Sequence, residues 1–387
     1  MANEGLAVYI HWPWCLAKCP YCAFTSFATP PDEDLWREAC QTELAFYAAR
    51  ISARRVGSVY IGGGTPSMMN PATLERLLAT IARFWPMESD VEITLEANPA
   101  TVDAAHFQAF RDAGVKRLSL GIQALREDAL RFLGRIHGVK EARQAIEAAV
   151  RIFPRLSLDL IYARPGQTPE AWTDEVREAL AMGAQHLSLY QLTVDPRTAF
   201  ATRVRHDGAC LEAAPEDSAR LFETTQEILR EAGFPAYEVS NHARPGEESR
   251  HNRAVWRYQD YLGIGPAAHG RLRDGGVRFA TENPGRPDVW AERVAAYGHG
   301  AVRRQALTRE EAQREARLMG LRLVEGLNAD RWRRLFNEDL DQSLDSPRVD
   351  RLVREGLAVK DAQGFRTTPA GLQRLEAILR YLERGQG

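Results

Sequence analysis

The chain is an α/β protein built on a partial (β/α)6 barrel, with a mainly helical, winged-helix-like domain at its C-terminal end. Three observations predict this. Short apolar strands alternate six times with helical stretches over the first two thirds, the pattern of a buried parallel sheet. Polar and glycine residues gather at the C-terminal ends of those strands, which in a barrel converge on one mouth. The last eighty or so residues return to helices around a short hairpin pattern.

The strands are expected at Leu6-Ile10, Ser58-Ile61, Val91-Leu95, Arg117-Leu120, Leu156-Ile161 and His186-Gln191. Helices are expected near Asp34-Ser52, Pro71-Phe84, Val102-Ala113, Glu127-Leu133, Val139-Phe153, Pro169-Met182 and Pro215-Ala232. Pro71, Pro169 and Pro215 open helices, where a missing N–H costs nothing. Gly114, Gly183 and Gly233 close them, where a left-handed residue is wanted. The sequence divides into a barrel over 1–235, an irregular segment over 236–305 and a helical domain over 306–387. Helices in the last part are expected at Arg309-Val324, Ala329-Phe336, Pro347-Glu355 and Pro369-Leu382, with a hairpin from Leu357-Val359 and Gly364-Thr367.

Bulk properties narrow the function. The 387 residues are 44% hydrophobic and 26% charged, with a formal net charge of -2. Such balance gives no pull towards nucleic acid or anionic lipid. In residues 301–387, 17 Lys+Arg stand against 14 Asp+Glu, a net of only +3. A DNA-binding role for the winged-helix-like domain is therefore disfavoured, and no nucleic-acid partner is expected. No apolar run reaches a membrane span. Met1-Ala2-Asn3-Glu4-Gly5 lacks the pattern of a secretory signal. Five cysteines, three of them clustered, fit a reducing compartment, and the cytoplasm is expected. Peripheral membrane association would come only through a partner. Cys40 and Cys210 are expected to be small buried hydrophobes.

The clustered cysteines carry the chemistry. Cys15, Cys19 and Cys22 follow the spacing C-x3-C-x2-C. Three thiolates fall one short of a closed tetrahedral zinc site or a fully capped cubane. His11 is the nearest candidate for a fourth zinc ligand. A 4Fe–4S cluster with one iron free of protein is the favoured alternative.

With Gly62-Gly63-Gly64-Thr65-Pro66 after the second strand, the chain resembles the radical S-adenosylmethionine (SAM) superfamily. In that family SAM chelates the open iron, and one electron from the cluster cleaves the sulfonium to a 5′-deoxyadenosyl radical. Tyr21 is the usual aromatic before the last cysteine, and the backbone of Gly63, Gly64 and Thr65 meets the methionine end of SAM. Over almost its whole length the chain resembles the oxygen-independent coproporphyrinogen III oxidase group. Tyr9-Ile10-His11-Trp12-Pro13, Glu96-Ala97-Asn98-Pro99, Gly121-Ile122-Gln123, Leu133-Gly134-Arg135-Ile136-His137 and Asp159-Leu160-Ile161-Tyr162 carry that likeness. It implies SAM contacts from Tyr9, Glu96, Gln123, Arg135 and Asp159.

The oxidases continue C-x3-C-x2-C-x-C, and the last of these positions is Phe24 here. That loss marks the sister branch, the HemW haem chaperones. A second marker, His251-Asn252-Arg253-Ala254-Val255-Trp256, resembles that branch's H-N-x-x-Y-W motif, taken to hold haem. It implies haem contacts from His251, Asn252 and Trp256, with Val255 replacing the tyrosine. His269, in a second glycine-rich stretch, is placed at the barrel mouth instead. The resemblance implies a haem chaperone carrying a SAM-chelated 4Fe–4S cluster. Its partners would be haem, an apo-haemoprotein recipient, an electron donor such as a flavodoxin or ferredoxin, and a second copy of the chain in a homodimer. The rival is a radical SAM enzyme acting on a porphyrinogen. True coproporphyrinogen oxidation is disfavoured, and whether SAM is consumed stays open.

Overall fold

A computed structural model describes residues 5–51 and 54–383. The start of the N-terminal sequence read for a signal, Met1–Glu4, lies outside the described residues, as does Ser52. Six parallel strands form the barrel wall: β1 (Leu6–Trp12), β2 (Val56–Gly63), β3 (Met87–Ala97), β4 (Arg117–Gln123), β5 (Arg155–Tyr162) and β6 (His186–Gln191). They lie side by side in chain order. Each is followed by at least one helix, as the alternation predicts. Pro71, Pro169 and Pro215 stand at the first helical position. Gly114, Gly183 and Gly233 adopt positive φ.

The strands run past their expected ends. β2, β3 and β4 continue through Gly63, Ala97 and Gln123. Site residues therefore sit on paired backbone rather than in loops. The helix Ala199–Asp207 was not expected from the sequence, and Pro369-Leu382 divides into Pro369–Leu372 and Leu375–Glu383.

The strands are not the near-continuous apolar runs expected. In β5, Leu156, Leu158 and Leu160 join the main core, while Ser157 and Asp159 alternate with them. Register aligns Asp159 with Ser188, and Glu96 with Ser119. A period of two thus gives an apolar outer face beneath the helices and a polar inner face. At the base of that inner face Glu92 is buried and ion-paired with Arg117 at 2.9 Å and Arg155 at 3.0 Å. It also accepts the Arg250 N–H at 2.8 Å. Removing one partner of such a buried set costs about 3–5 kcal/mol.

The segment 236–305, expected to be irregular, extends the sheet at both ends. β7 (Asn241–Ala243) pairs antiparallel with β6, and β8 (Tyr261–Ile264) pairs parallel with β1. β9 (His269–Asp274), β10 (Val277–Glu282) and β11 (Arg303–Ala306) follow antiparallel, giving eleven strands in the order β11-β10-β9-β8-β1-β2-β3-β4-β5-β6-β7. Because β1 pairs with β8 and not with β6, the barrel stays open on one side.

The C-terminal region has its own apolar cluster around Trp332, Val349, Phe365 and Ile378. Its helices pack beside a three-stranded sheet of β12 (Leu327–Asn328), β13 (Ala358–Asp361) and β14 (Gly364–Thr367), in the order β12-β14-β13. Cys40 is buried, as expected. Cys210 is exposed, against expectation, on a segment that follows the helix Ala199–Asp207 and packs no thiol inward. Among the described residues no helix is long and apolar enough to cross a membrane.

Candidate functional site

A cavity of about 310 Å3 opens at the C-terminal ends of β2 to β6. Cys15, Cys19, Cys22, Tyr21, Gly63, Gly64, Thr65, Glu96, Gln123, Arg135 and Asp159 all line it. The sequence scatters them over more than 140 positions; the parallel strands bring them to one mouth.

The cysteine loop leaves β1 and is stitched back by backbone bonds. Phe27 N–H donates to the Pro13 carbonyl at 2.8 Å, and Cys15 N–H to the Phe27 carbonyl at 3.0 Å. Among the described residues no three His, Cys, Asp or Glu side chains converge as ligands of a single metal ion. A cubane asks instead for thiolates spread one per iron. His11 is not free to be a fourth ligand. Its Nε2 lies 2.9 Å from the Thr25 carbonyl and its Nδ1 2.9 Å from the Tyr9 hydroxyl. Burial lowers its pKa to about 4, so the ring is neutral. The zinc alternative built on His11 fails on this geometry.

The glycine run passes directly under the cysteine loop. A Cβ on Gly64 would stand 2.4 Å from the Trp14 carbonyl oxygen and 3.1 Å from Cys15 Sγ. Gly63 has φ 119°, closed to side-chain-bearing residues. Close approach of this loop therefore depends on missing side chains. Thr65 N–H ties the loop to the Trp14 carbonyl at 2.7 Å.

Charged groups surround the cavity. Arg135 Nη1 donates to Cys19 Sγ at 3.2 Å, and Nη2 to the Gly121 carbonyl at 2.9 Å. Its buried Nε has no hydrogen-bond partner among the described residues. Glu96 accepts the Tyr60 hydroxyl at 2.8 Å and the Gly63 N–H at 3.0 Å. Burial, reinforced by the nearby Asp159, raises its pKa to about 7 against those two hydrogen bonds. Asp159 accepts from the Ser119 hydroxyl at 3.1 Å. Burial raises it to about 6, opposed by Ser188, Ser119 and Arg135. A cation entering between them would favour the carboxylate forms, with the protons released to solvent. Gln123 carries φ 66°, unusual for a residue with a side chain. His137 Nε2 holds the preceding Ile122 carbonyl at 3.1 Å.

Open thiols, a glycine cradle, a guanidinium N–H unpartnered among the described residues and two buried carboxyls fit an iron–sulfur cluster with an amino-acid-bearing sulfonium nucleoside beside it. Cys15, Cys19 and Cys22 would hold the cluster. Glu96, Gln123, Arg135, Asp159 and the backbone of Gly63–Thr65 would hold the nucleoside.

Other expected residues stand elsewhere. Tyr9 does not line the cavity; its hydroxyl is spent on His11. His251 is buried on the inner face of β2 below Tyr60, with Nδ1 3.3 Å from Ser58 Oγ. Asn252 does not line the cavity; its side chain meets Tyr237 and its backbone N–H is capped by Ser249 Oγ. Trp256 lies under Arg322 at 4.4 Å, beside a hollow of only 20 Å3 that holds about one water and no porphyrin. The three haem-motif residues thus share a short helix, Arg250–Trp256, but no common opening. His269 begins β9, is exposed and does not line the cavity. Sequence reasoning missed Tyr60. The alternation Ser58, Tyr60, Gly62 along β2 is the signal that puts it inside. Tyr190 is 45% exposed although deep in the barrel, because the surface it shows is cavity wall.

Comparison with known proteins agrees with this geometry. Residues 9–179 match the family model of the Radical SAM superfamily, and residues 307–374 that of the HemN C-terminal domain. The chain is 38% identical over 386 residues to the Radical S-adenosyl methionine domain-containing protein 1, mitochondrial, of Bos taurus, covering 97% of this chain and 87% of that one. It is 40% identical over 276 residues to the Heme chaperone HemW of Haemophilus influenzae, covering 69% and 70%. It is 34% identical over 392 residues to the Heme chaperone HemW of Mycobacterium tuberculosis, covering 99% and 96%. Its fold superposes on coproporphyrinogen III oxidase (HemN) from Escherichia coli with a TM-score of 0.81, at 23% identity, over 99% of this chain and 92% of that one. The chain belongs to the radical SAM superfamily, to its HemN-like group, on the branch of the HemW haem chaperones.

Proposed function

We propose that this chain binds haem and passes it to an apo-haemoprotein, and that it carries a SAM-chelated 4Fe–4S cluster at the barrel mouth. The observation that carries the reading is Phe24. It stands where the oxidases of the group place a further cysteine, and it is a phenyl ring, 67% exposed, on the cavity wall. Relatives named as haem chaperones support the same branch.

With the cluster and SAM bound, the site gains the capacity for one-electron reduction of a sulfonium. The chain's own residues prepare it. Arg135 places positive charge beside Cys19 and favours the anionic thiolate–cluster unit. Glu96 and Asp159 offer carboxylates to the cationic end of the nucleoside. Haem held by His251, Asn252 and Trp256 would require the helix Arg250–Trp256 to move, since none of the three lines the barrel cavity. A flavodoxin or ferredoxin would supply the electron, and a second copy of the chain would complete a homodimer.

The test is a haem titration of the anaerobically reconstituted protein, followed by transfer to apomyoglobin. Tight binding, weakened in His251→Ala, is expected. No binding by the wild type overturns the reading, and equal binding by the variant moves the haem ligand elsewhere.

A second reading is a radical SAM enzyme acting on a porphyrinogen. It is favoured by Glu96, Gln123, Arg135 and Asp159 meeting around one cavity. Anaerobic incubation with reductant, SAM and coproporphyrinogen III separates the two. Decarboxylated product in catalytic yield would establish the second.

A further inference from the structure

The haem motif and the cavity meet at one residue. Tyr60 stands on the inner face of β2, between them. On the cavity side its hydroxyl donates to one oxygen of Glu96 at 2.8 Å. The other oxygen of Glu96 accepts the Gly63 N–H at 3.0 Å, fixing the glycine loop. On the far side, the His251 ring packs against the Tyr60 ring, with centroids 5.0 Å apart and planes inclined by 33°. Tyr9 backs both rings at 6.2 Å. The His251 ring is itself anchored, with Nδ1 3.3 Å from Ser58 Oγ.

A side chain that borders a cavity has packing on one face only. Its position is then set by what stands behind it. For Tyr60, His251 and Tyr9 stand there. Deleting the imidazole would leave only the more distant Tyr9 ring behind the phenol and loosen the hold of its hydroxyl on Glu96.

We propose that His251 is a positioning residue of the cavity, acting through Tyr60 to aim the Glu96 carboxylate at the SAM nucleoside. The proposal rests on the cluster-and-SAM half of the function above and not on haem. His251 is only 6% exposed and lines neither the barrel cavity nor the hollow beside Trp256. Burial lowers its pKa to about 4, so it serves as a neutral ring and hydrogen-bond partner. One consequence is that loss of haem in a His251 variant would not by itself make His251 the haem ligand.

The experiment measures SAM affinity of the reconstituted protein by calorimetry, with the EPR change of the reduced cluster on adding SAM as a second readout. His251→Ala is expected to weaken SAM binding about 10-fold or more, the scale of losing an outer-shell partner. Tyr60→Phe should weaken it comparably. His251→Phe, which keeps a ring behind Tyr60, should stay within about threefold of the wild type, since packing and not ligation is at stake. The double variant His251→Ala/Tyr60→Phe should lose no more than the worse single, because both act through one carboxylate. SAM affinity unchanged in His251→Ala, no rescue by phenylalanine, or additive losses would each overturn the proposal. Should His251→Ala fail to fold, the comparison of His251→Phe with Tyr60→Phe still decides. A wild type that binds no SAM overturns the cofactor reading and this proposal together. A wild type that binds SAM but no haem overturns only the haem reading.

Discussion

Arg135 and Cys19, 116 residues apart in sequence, stand in direct contact, with Nη1 of the guanidinium 3.2 Å from the sulfur. The same guanidinium holds the Gly121 carbonyl, so the cysteine loop is fastened to the end of β4. Lysine cannot make both contacts from one planar fork. Arg135→Lys is expected to lower SAM affinity about 10-fold, as losses around metal sites commonly do, with the fold intact. Iron content, SAM calorimetry and far-UV circular dichroism on the same preparation check it. Unchanged SAM affinity would remove Arg135 from the site.

Gly64 tests the cradle. An added methyl would meet the Trp14 carbonyl oxygen at 2.4 Å and Cys15 Sγ at 3.1 Å. Backbone, not a flexible side chain, is the nearer obstacle. Gly64→Ala is expected to abolish cluster loading while leaving the barrel folded. The measurement is iron and sulfide per chain after reconstitution, beside thermal melting. Full loading in the variant contradicts the cradle.

The two carboxyls predict a pH dependence. Burial raises Glu96 from 4.5 to about 7 and Asp159 from 3.8 to about 6. Below those values both are protonated in the empty cavity and offer a cation little. Above them the carboxylates are charged. SAM affinity should therefore climb as pH rises through about 6 to 7 and then level off, with protons released on binding inside that window. Calorimetry in buffers of different ionisation enthalpy detects the release. Affinity that falls over this range would contradict the assignment.

Gln123 trades backbone comfort for placement. Its φ of 66° is costly for a residue with a Cβ, about 1 kcal/mol or more. Gln123→Gly should remove that strain and leave the melting temperature no lower than the wild type. It should also weaken SAM binding by removing the side chain from the cavity. A clear loss of stability would show that the corner is not strained.

Glu43 is a structural counterpart outside the cavity. Fully buried, it accepts N–H groups from Gly265 at 3.1 Å, Gly300 at 2.8 Å, Trp290 at 3.0 Å and Asn283 at 3.1 Å. It ties the first long helix, Glu33–Ala48, to the segment that extends the sheet beyond β1. Glu43→Gln turns an N–H towards these donors and should cost about 1–3 kcal/mol per unsatisfied group. Denaturant unfolding reads this directly.

Much of the molecule is legible in the sequence. The C-x3-C-x2-C spacing, the glycine run and the βα alternation are local signals, and local signals survive in one dimension. They fix the six parallel strands to within a few residues and name most of the cavity wall, from Cys15 to Asp159. What the sequence could not settle depends on which face a strand turns inward and what lies behind it. Tyr60 reads as one more aromatic in an apolar strand until β2 and β3 pair in the curled sheet and bring its hydroxyl to Glu96. Residues 236–305 read as irregular because β7 to β11 are short, and they become a sheet only once β7 pairs with β6 and β8 with β1, with β9 to β11 added in turn beyond β8. His251 reads as an open ligand from its motif, yet packing seals it behind Tyr60. Spacing sets which chemistry the chain can carry. Burial and pairing between distant strands decide which side chains can reach it.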